Sequence, residues 1–163
     1  MQAFQAVQST QSLSPTRVDV STINFCCSIA PTTAAAALGM EIWIDDQKLF
    51  DQAHVQEHHQ ISTDLLDDEG EHELRFVLKN KLSKHTQIDA NNTIVSDARI
   101  SVSHIEFDGI ALNQLVPALA EYQHNFNGTG ELSVHKFYGE LGCNGTVSLK
   151  FTTPIYLWLL EHM

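Results

Sequence analysis

The sequence predicts an all-β fold, an antiparallel jelly-roll-like β-sandwich. Three observations predict it. Apolar residues recur at every second position in several stretches, as they do in a strand with one buried face. About eight to ten such stretches follow one another at spacings of roughly 8–15 residues, with turn signals between them. Long amphipathic helical patterns are missing from the sequence, which leaves a sandwich or barrel. The length of 163 residues suits one domain, and a chain of that size buries roughly 70% of its unfolded surface. Hydrophobic residues make up 43%, ordinary for a globular protein and too many for general disorder.

Residues 1–22 are rich in Gln, Ser and Thr and lack apolar periodicity. They read as a flexible N-terminal arm, and residues 23–163 as the sandwich domain. Ile23, Phe25, Cys27 and Ile29 then alternate as the first strand, ended by Pro31. Residues 34–38 are helix-compatible but short. Met40, Ile42 and Ile44 alternate with Glu41, Trp43 and Asp45, and Asp45-Asp46-Gln47 turns the chain into Lys48-Leu49-Phe50, a hairpin. Val55 to Ile61 read as another strand, and residues 62–71 as an acidic loop turned by Gly70. Leu74, Phe76 and Leu78 give a clear period of two. Residues 80–92 are polar and turn-rich. Ile94 to Phe107 read as one long strand with a bend near His104, and Asp108-Gly109 as a turn. Residues 111–121 fit a short helix or a strand with a loop. Tyr122, His124 and Phe126 alternate, Asn127-Gly128 turns, and residues 132–138 and 146–152 form the last strands. The dense apolar end, Ile155-Tyr156-Leu157-Trp158-Leu159-Leu160, reads as a final core strand or as a segment docked on a neighbouring subunit.

Charge and motifs exclude several function classes. The net charge of −11 with neutral histidine opposes nucleic acid and anionic membranes, since binding phosphate needs Lys and Arg. The longest apolar stretch, Ile155 to Leu160, is far shorter than the ~20 residues of a spanning helix. A basic region followed by an apolar run is missing from the N-terminus, so a standard signal peptide is not expected. Cys26 and Cys27 point to opposite strand faces, no CxxC pair occurs, and the three cysteines read as reduced and partly buried. A disulfide from one of them to Cys143 is the alternative. Two of three glycosylation-type sequons, at Asn127 and Asn144, contain Asn-Gly, which a tight turn explains; the third is Asn91. Nucleophile elbows, phosphate loops and dinucleotide fingerprints do not occur, so no catalytic residue is assigned and no enzyme is expected. The nine histidines read as surface groups.

Three features carry binding chemistry. Asp64, Asp67, Asp68, Glu69 and Glu71 are candidate calcium ligands, because calcium takes oxygens from flexible loops. EF-hand spacing is missing, so further oxygens from Asp45, Asp46 and Asp51 are needed. Calcium is the one candidate cofactor. Trp43, opposite the apolar face of its strand, is a candidate platform for a sugar ring. Tyr156, Leu157, Trp158, Leu159 and Leu160 are candidate assembly residues.

Four segments carry a family resemblance. They are Glu41-Ile-Trp-Ile-Asp-Asp-Gln47, the run from Asp67 through Glu-Gly-Glu-His-Glu to Lys81, Ile105-Glu-Phe-Asp-Gly-Ile110, and the run from Lys136 to Leu160. Together they resemble small β-sandwich structural proteins encoded by tailed bacteriophages, marine and cyanobacterial ones especially. The likeness covers residues from about 28 to 163. It implies a non-enzymatic virion component, a capsid-exterior decoration or a tail or baseplate appendage. Such a protein assembles in the host cytoplasm as a homo-oligomer and contacts other virion proteins. The strand pattern is also similar to calcium-dependent carbohydrate-binding modules of the xylan-binding type. That similarity implies the alternative function, calcium-assisted binding of a cell-surface glycan. The modules' ligand residues do not map onto this chain one by one, and none is carried over.

Overall fold

The computed structural model describes residues 19–163. Most of the expected arm lies outside them; its last residue, Thr22, already begins the first strand. The chain runs β1 (Thr22–Pro31), β2 (Gly39–Ile44), β3 (Gln47–Gln52), β4 (His59–Leu66) and β5 (Glu71–Lys79). A 3-10 turn at Ser83–His85 leads into β6 (Thr86–Ile88) and β7 (Ile94–Asp97). Then come β8 (Ile100–Phe107), β9 (Ile110–Ala111), α1 (Leu115–Leu119), β10 (Glu121–His124), β11 (Ser133–Lys136), β12 (Glu140–Leu141), β13 (Gly145–Thr152) and α2 (Ile155–His162).

The strands build two large antiparallel sheets. One has the order β12-β8-β1-β4, with β9 added beside β8; the other is β11-β10-β13-β5-β2-β3. A separate ribbon pairs β6 with β7. The chain crosses between the large sheets from β1 to β2, β3 to β4, β4 to β5, β9 to β10, β11 to β12 and β12 to β13, while β2–β3, β8–β9 and β10–β11 pair within one sheet. This is the expected all-β sandwich. Its filling comes from period-two side chains: Phe25, Ile29, Met40, Ile42, Leu74, Phe76 and Phe107 are all at most 1% exposed. Each stabilises the fold by roughly 1.5–3 kcal/mol relative to an exposed state. A string of rings crosses the core, from Phe25 to Phe107 at 5.6 Å and from Phe107 to Phe151 at 4.8 Å.

Several element readings hold. The β2–β3 hairpin turns at Asp45, which takes a positive φ of 51°. The bend expected near His104 is a bulge: its φ is 50°, and the β1–β8 register slips between Cys26 and Ser28. Residues 115–119 take the short-helix option. Cys27 is buried and Cys26 half-buried, on opposite faces, and all three cysteines are free thiols.

Other readings need correction. The acidic loop is shorter than 62–71, because β4 continues to Leu66 and β5 begins at Glu71. The strand expected over Val55–Ile61 starts only at His59; Val55 is instead buried in a bend, its N–H bonded to the Leu38 carbonyl at 2.8 Å. The long strand from Ile94 is two strands, β7 and β8, in different sheets. The C-terminal segment is a helix, not a strand. Its buried residues are Ile155, Trp158 and Leu159, the one-sided spacing of a helix. An unbroken apolar run hides its period, so the sequence alone could not separate the two. Pro154 stands at the helix start, where its missing N–H costs no intrahelical bond.

Candidate functional site

One end of the sandwich holds a cleft of about 550 Å³. Two tight turns meet there. The β2–β3 turn presents Asp45, and the β4–β5 turn presents Asp68 and Gly70. The first residues of β5 and the last of β13 form the floor, and α2 closes one wall with Trp158, Glu161 and His162. Trp158 packs on Phe151 at 6.2 Å and on His162 at 5.0 Å.

His72 lies at the centre. Alternation along β5 turns its side chain inward, onto the Phe151 ring at 5.3 Å. Only 14% of the side chain is exposed. Its Nδ1 donates to Asp45 Oδ2 at 2.7 Å and its Nε2 to Asp68 Oδ1 at 2.8 Å. Burial works to lower the His72 pKa, but the hydrogen bonds to Asp45 and Asp68 outweigh it, so the value is raised. Asp68 is held below the usual carboxylate range by His72 and then by Thr153. Thr153 Oγ1 donates to Asp68 Oδ1 at 3.0 Å and accepts the Gly70 N–H at 2.9 Å. Asp45 Oδ1 accepts the Glu73 N–H at 2.9 Å. Both ring nitrogens point at carboxylates, and Thr153 Oγ1, 3.3 Å from His72 Nε2, is itself engaged with Asp68 and Gly70. The arrangement clamps two turns to the entry of α2.

The cleft wall carries Asp45, Glu71, Glu73 and Glu161 against Lys150. Carboxylates accept hydrogen bonds from hydroxyls and pair with cations, and they repel phosphate.

The candidate calcium residues are dispersed. Asp64 lies in β4 and accepts from Asn24 Nδ2 at 3.0 Å. Asp67 has a buried oxygen, Oδ1, with no hydrogen-bond partner among the described residues. Asp68 is engaged by His72, Glu69 stands exposed at the turn with φ of 56°, and Glu71 opens β5. The turns of Asp45 and Asp68 do share one end of the sandwich, but the ring of His72 occupies the space between these carboxylates. Asp51 lies elsewhere, paired with Lys48 and Lys79. Among the described residues, no three His, Cys, Asp or Glu side chains are placed to hold one metal ion.

Trp43 projects from the outer face of the six-stranded sheet, half-buried, while Met40, Ile42 and Ile44 face the core. Its Nε1 donates to Glu41 Oε2 at 3.0 Å. Lys48 Nζ lies 4.9 Å from its ring centroid and the Arg75 guanidinium 5.4 Å. A sugar stacking on this indole therefore displaces a cation. The five candidate assembly residues divide by face. Trp158 and Leu159 are buried in their own chain; Tyr156, Leu157 and Leu160 are exposed. Tyr156 anchors its hydroxyl on Asp108 Oδ2 at 2.9 Å.

Sequence reasoning missed His72 and Thr153, and the surface reading of the histidines fails for His72 and for His124, which is 7% exposed. The one available signal at His72 was its core-facing register with Leu74 and Phe76.

No family model matches the chain. No curated protein matches it either. Among solved structures, the chain is similar to a carbohydrate-binding module, vCBM60 in complex with galactobiose, at 12% identity and a TM-score of 0.41; the likeness covers 79% of this chain and 97% of that one.

Proposed function

We propose that this chain is a non-catalytic virion component of a tailed bacteriophage, a capsid-exterior decoration or a tail or baseplate appendage. It works by assembling with copies of itself and with other virion proteins, and by binding surfaces. The observation that carries the reading is the division of α2. Ile155, Trp158 and Leu159 lock the helix to the core, which holds Tyr156, Leu157 and Leu160 outward at 52%, 58% and 77% exposure. Exposed apolar side chains held on a rigid element are suited to contact with another protein. The likeness of four segments to phage β-sandwich proteins supports the same reading, and so does an acidic surface that avoids the packaged nucleic acid. Two measurements test it: light-scattering mass of the purified chain, and mass spectrometry of purified particles. An oligomer present in particles is expected; a monomer missing from particles sinks the proposal.

The second reading is a calcium-assisted carbohydrate-binding module. Asp67 Oδ1, buried without a partner among the described residues, favours a cation beside it, and Trp43 supplies a half-exposed indole. Calorimetry with calcium, and then with a glycan panel in its presence, is the test. Flat titrations for wild type, with no change for Trp43→Ala, dismiss it.

A further inference from the structure

We propose that β4 pairs with β4 of a second copy, joining two sandwiches through one continuous sheet. This inference rests on the self-assembly reading above and names the surface that performs it.

Strand edges are templates for further pairing, and proteins usually blunt them with Lys, Pro, bulges or short length. Among the described residues the other free edges are blunted in these ways, the ribbon strands β6 and β7 having only three and four residues. β12 and β9 have two residues each, and β11 has four with Lys136 among them. β3 carries Lys48 and meets β2 through a register shift. β4 is different. It has eight residues, His-Gln-Ile-Ser-Thr-Asp-Leu-Leu, with no Lys, Arg or Pro. It pairs with β1 in an unbroken register from Thr22–Leu66 to Ile29–His59, and among the described residues no strand pairs with its other side.

The outward groups can be assigned. The Asp67 N–H bonds to the Ser21 carbonyl at 2.9 Å, one step beyond the Thr22–Leu66 pair. Bonded pairs alternate along an antiparallel ladder, so odd-numbered residues of β4 bond to β1. Gln60, Ser62, Asp64 and Leu66 therefore turn both N–H and C=O away from the sheet.

Two-fold pairing of those groups requires a centre on one residue. Centred on Asp64, it opposes two carboxylates, which is destabilising. Centred on Ser62, it leaves Leu66 without a partner. Centred on Thr63, it pairs Ser62 with Asp64 and Gln60 with Leu66, and each pair exchanges two backbone hydrogen bonds. On the inner face the same register sets Ile61 against Leu65 and Thr63 against its copy. Ile61 is 7% exposed and Thr63 and Leu65 are half-buried, so this face continues the core. Branched and Thr–Thr pairs stabilise a sheet in such positions. Two copies at −11 each repel, so association strengthens as salt shortens the screening length.

The register makes a charge test decisive. Ser62→Lys sets an ammonium opposite Asp64 twice per dimer; Ser62→Asp sets a carboxylate there. Ser62→Lys loses the hydrogen bond that Asn24 Nδ2 donates to Ser62 Oγ, whereas an Asp carboxylate can still accept it, so Ser62→Met, which loses the bond without adding charge, is the reference for Ser62→Lys. Sedimentation of the full chain at low and moderate salt is the experiment, with circular dichroism to confirm equal folding. Wild type is expected to dimerise more tightly at moderate salt. Ser62→Lys is expected to tighten the dimer, and Ser62→Asp to weaken it, each on the order of tenfold. A dimer indifferent to both changes, or weakened by both, overturns the β4 pairing while leaving self-assembly standing. A wild-type monomer at every concentration and salt overturns both.

Discussion

Lys81 shows how much a single side chain decides in this protein. Its ammonium is fully buried and lies 2.6 Å from Asp97 Oδ1, with the Ala98 carbonyl as a second partner. Asp97 is also held by Thr86 at 2.7 Å and Arg99 at 2.9 Å. Burial pushes the Asp97 pKa up, but these donors, Lys81 foremost, carry it below the usual carboxylate range. Removing the carboxylate strands a buried charge, so Asp97→Ala is expected to destabilise by about 3–5 kcal/mol in denaturant unfolding, while Lys81→Met costs much less. His124 supplies a pH prediction. Burial first, and His135 stacked on it at 4.4 Å second, hold its pKa below the ordinary 6.5. Its Nδ1 accepts the Phe126 N–H at 3.2 Å, a bond only the neutral ring can make. The unfolded chain therefore takes the proton more readily. The contribution of His124 is complete above 6.5 and falls as pH drops through that value. His72, with its raised pKa, acts in the opposite sense and loses its contribution as pH rises through its folded value. The difference between wild type and His124→Phe isolates the first effect: thermal melts at about pH 7.5 and about pH 5 should show a smaller acid-side loss in the variant. Gly145 is a third such residue. A Cβ there would lie 2.3 Å from the Gln123 carbonyl oxygen. Asn144-Gly145 read as a turn, but the glycine opens β13 and is there to let two strands approach. Gly145→Ala is expected to cost about 1–3 kcal/mol by overpacking, read from denaturant midpoints.

At the scale of elements, α2 carries the sharpest contrast. Trp158 is 4% exposed and closes the aromatic string that begins at Phe25; Leu160, two residues on, is 77% exposed. Trp158→Ala is expected to destabilise by about 3–5 kcal/mol. Leu160→Ser is expected to stay within about 0.5 kcal/mol in the isolated chain. Denaturant melts check both, and similar losses for the two would mean that the helix is not seated as described. The strands whose apolar residues alternate against polar ones, β2 and β5, were legible to within two residues. β4 and α2 were not. In β4 the alternation continues through Ser62, Thr63 and Asp64 with polar residues on the half-covered side of an edge strand, so it resembles a loop. In α2 six successive apolar residues, Ile155 to Leu160, contain no polar marker of period.

At the largest scale, the two sheets leave a charged outer face, an acidic cleft and, among the described residues, one long unblunted edge. A net charge of −11 keeps copies apart at low ionic strength, so any assembly through β4 depends on salt. The sequence by itself determined that the chain is a two-layer antiparallel sandwich, because a period of two is written into consecutive residues and needs no long-range information. It also determined that the cysteines of β1 face apart, because successive side chains of a strand point to opposite faces. Tertiary structure alone decided which groups meet. The ring of His72 joins carboxylates 27 residues before it and four before it, and Lys81 finds Asp97 across two turns. Those pairings follow from strand order and register, which depend on contacts between residues far apart in the chain and are invisible to local pattern.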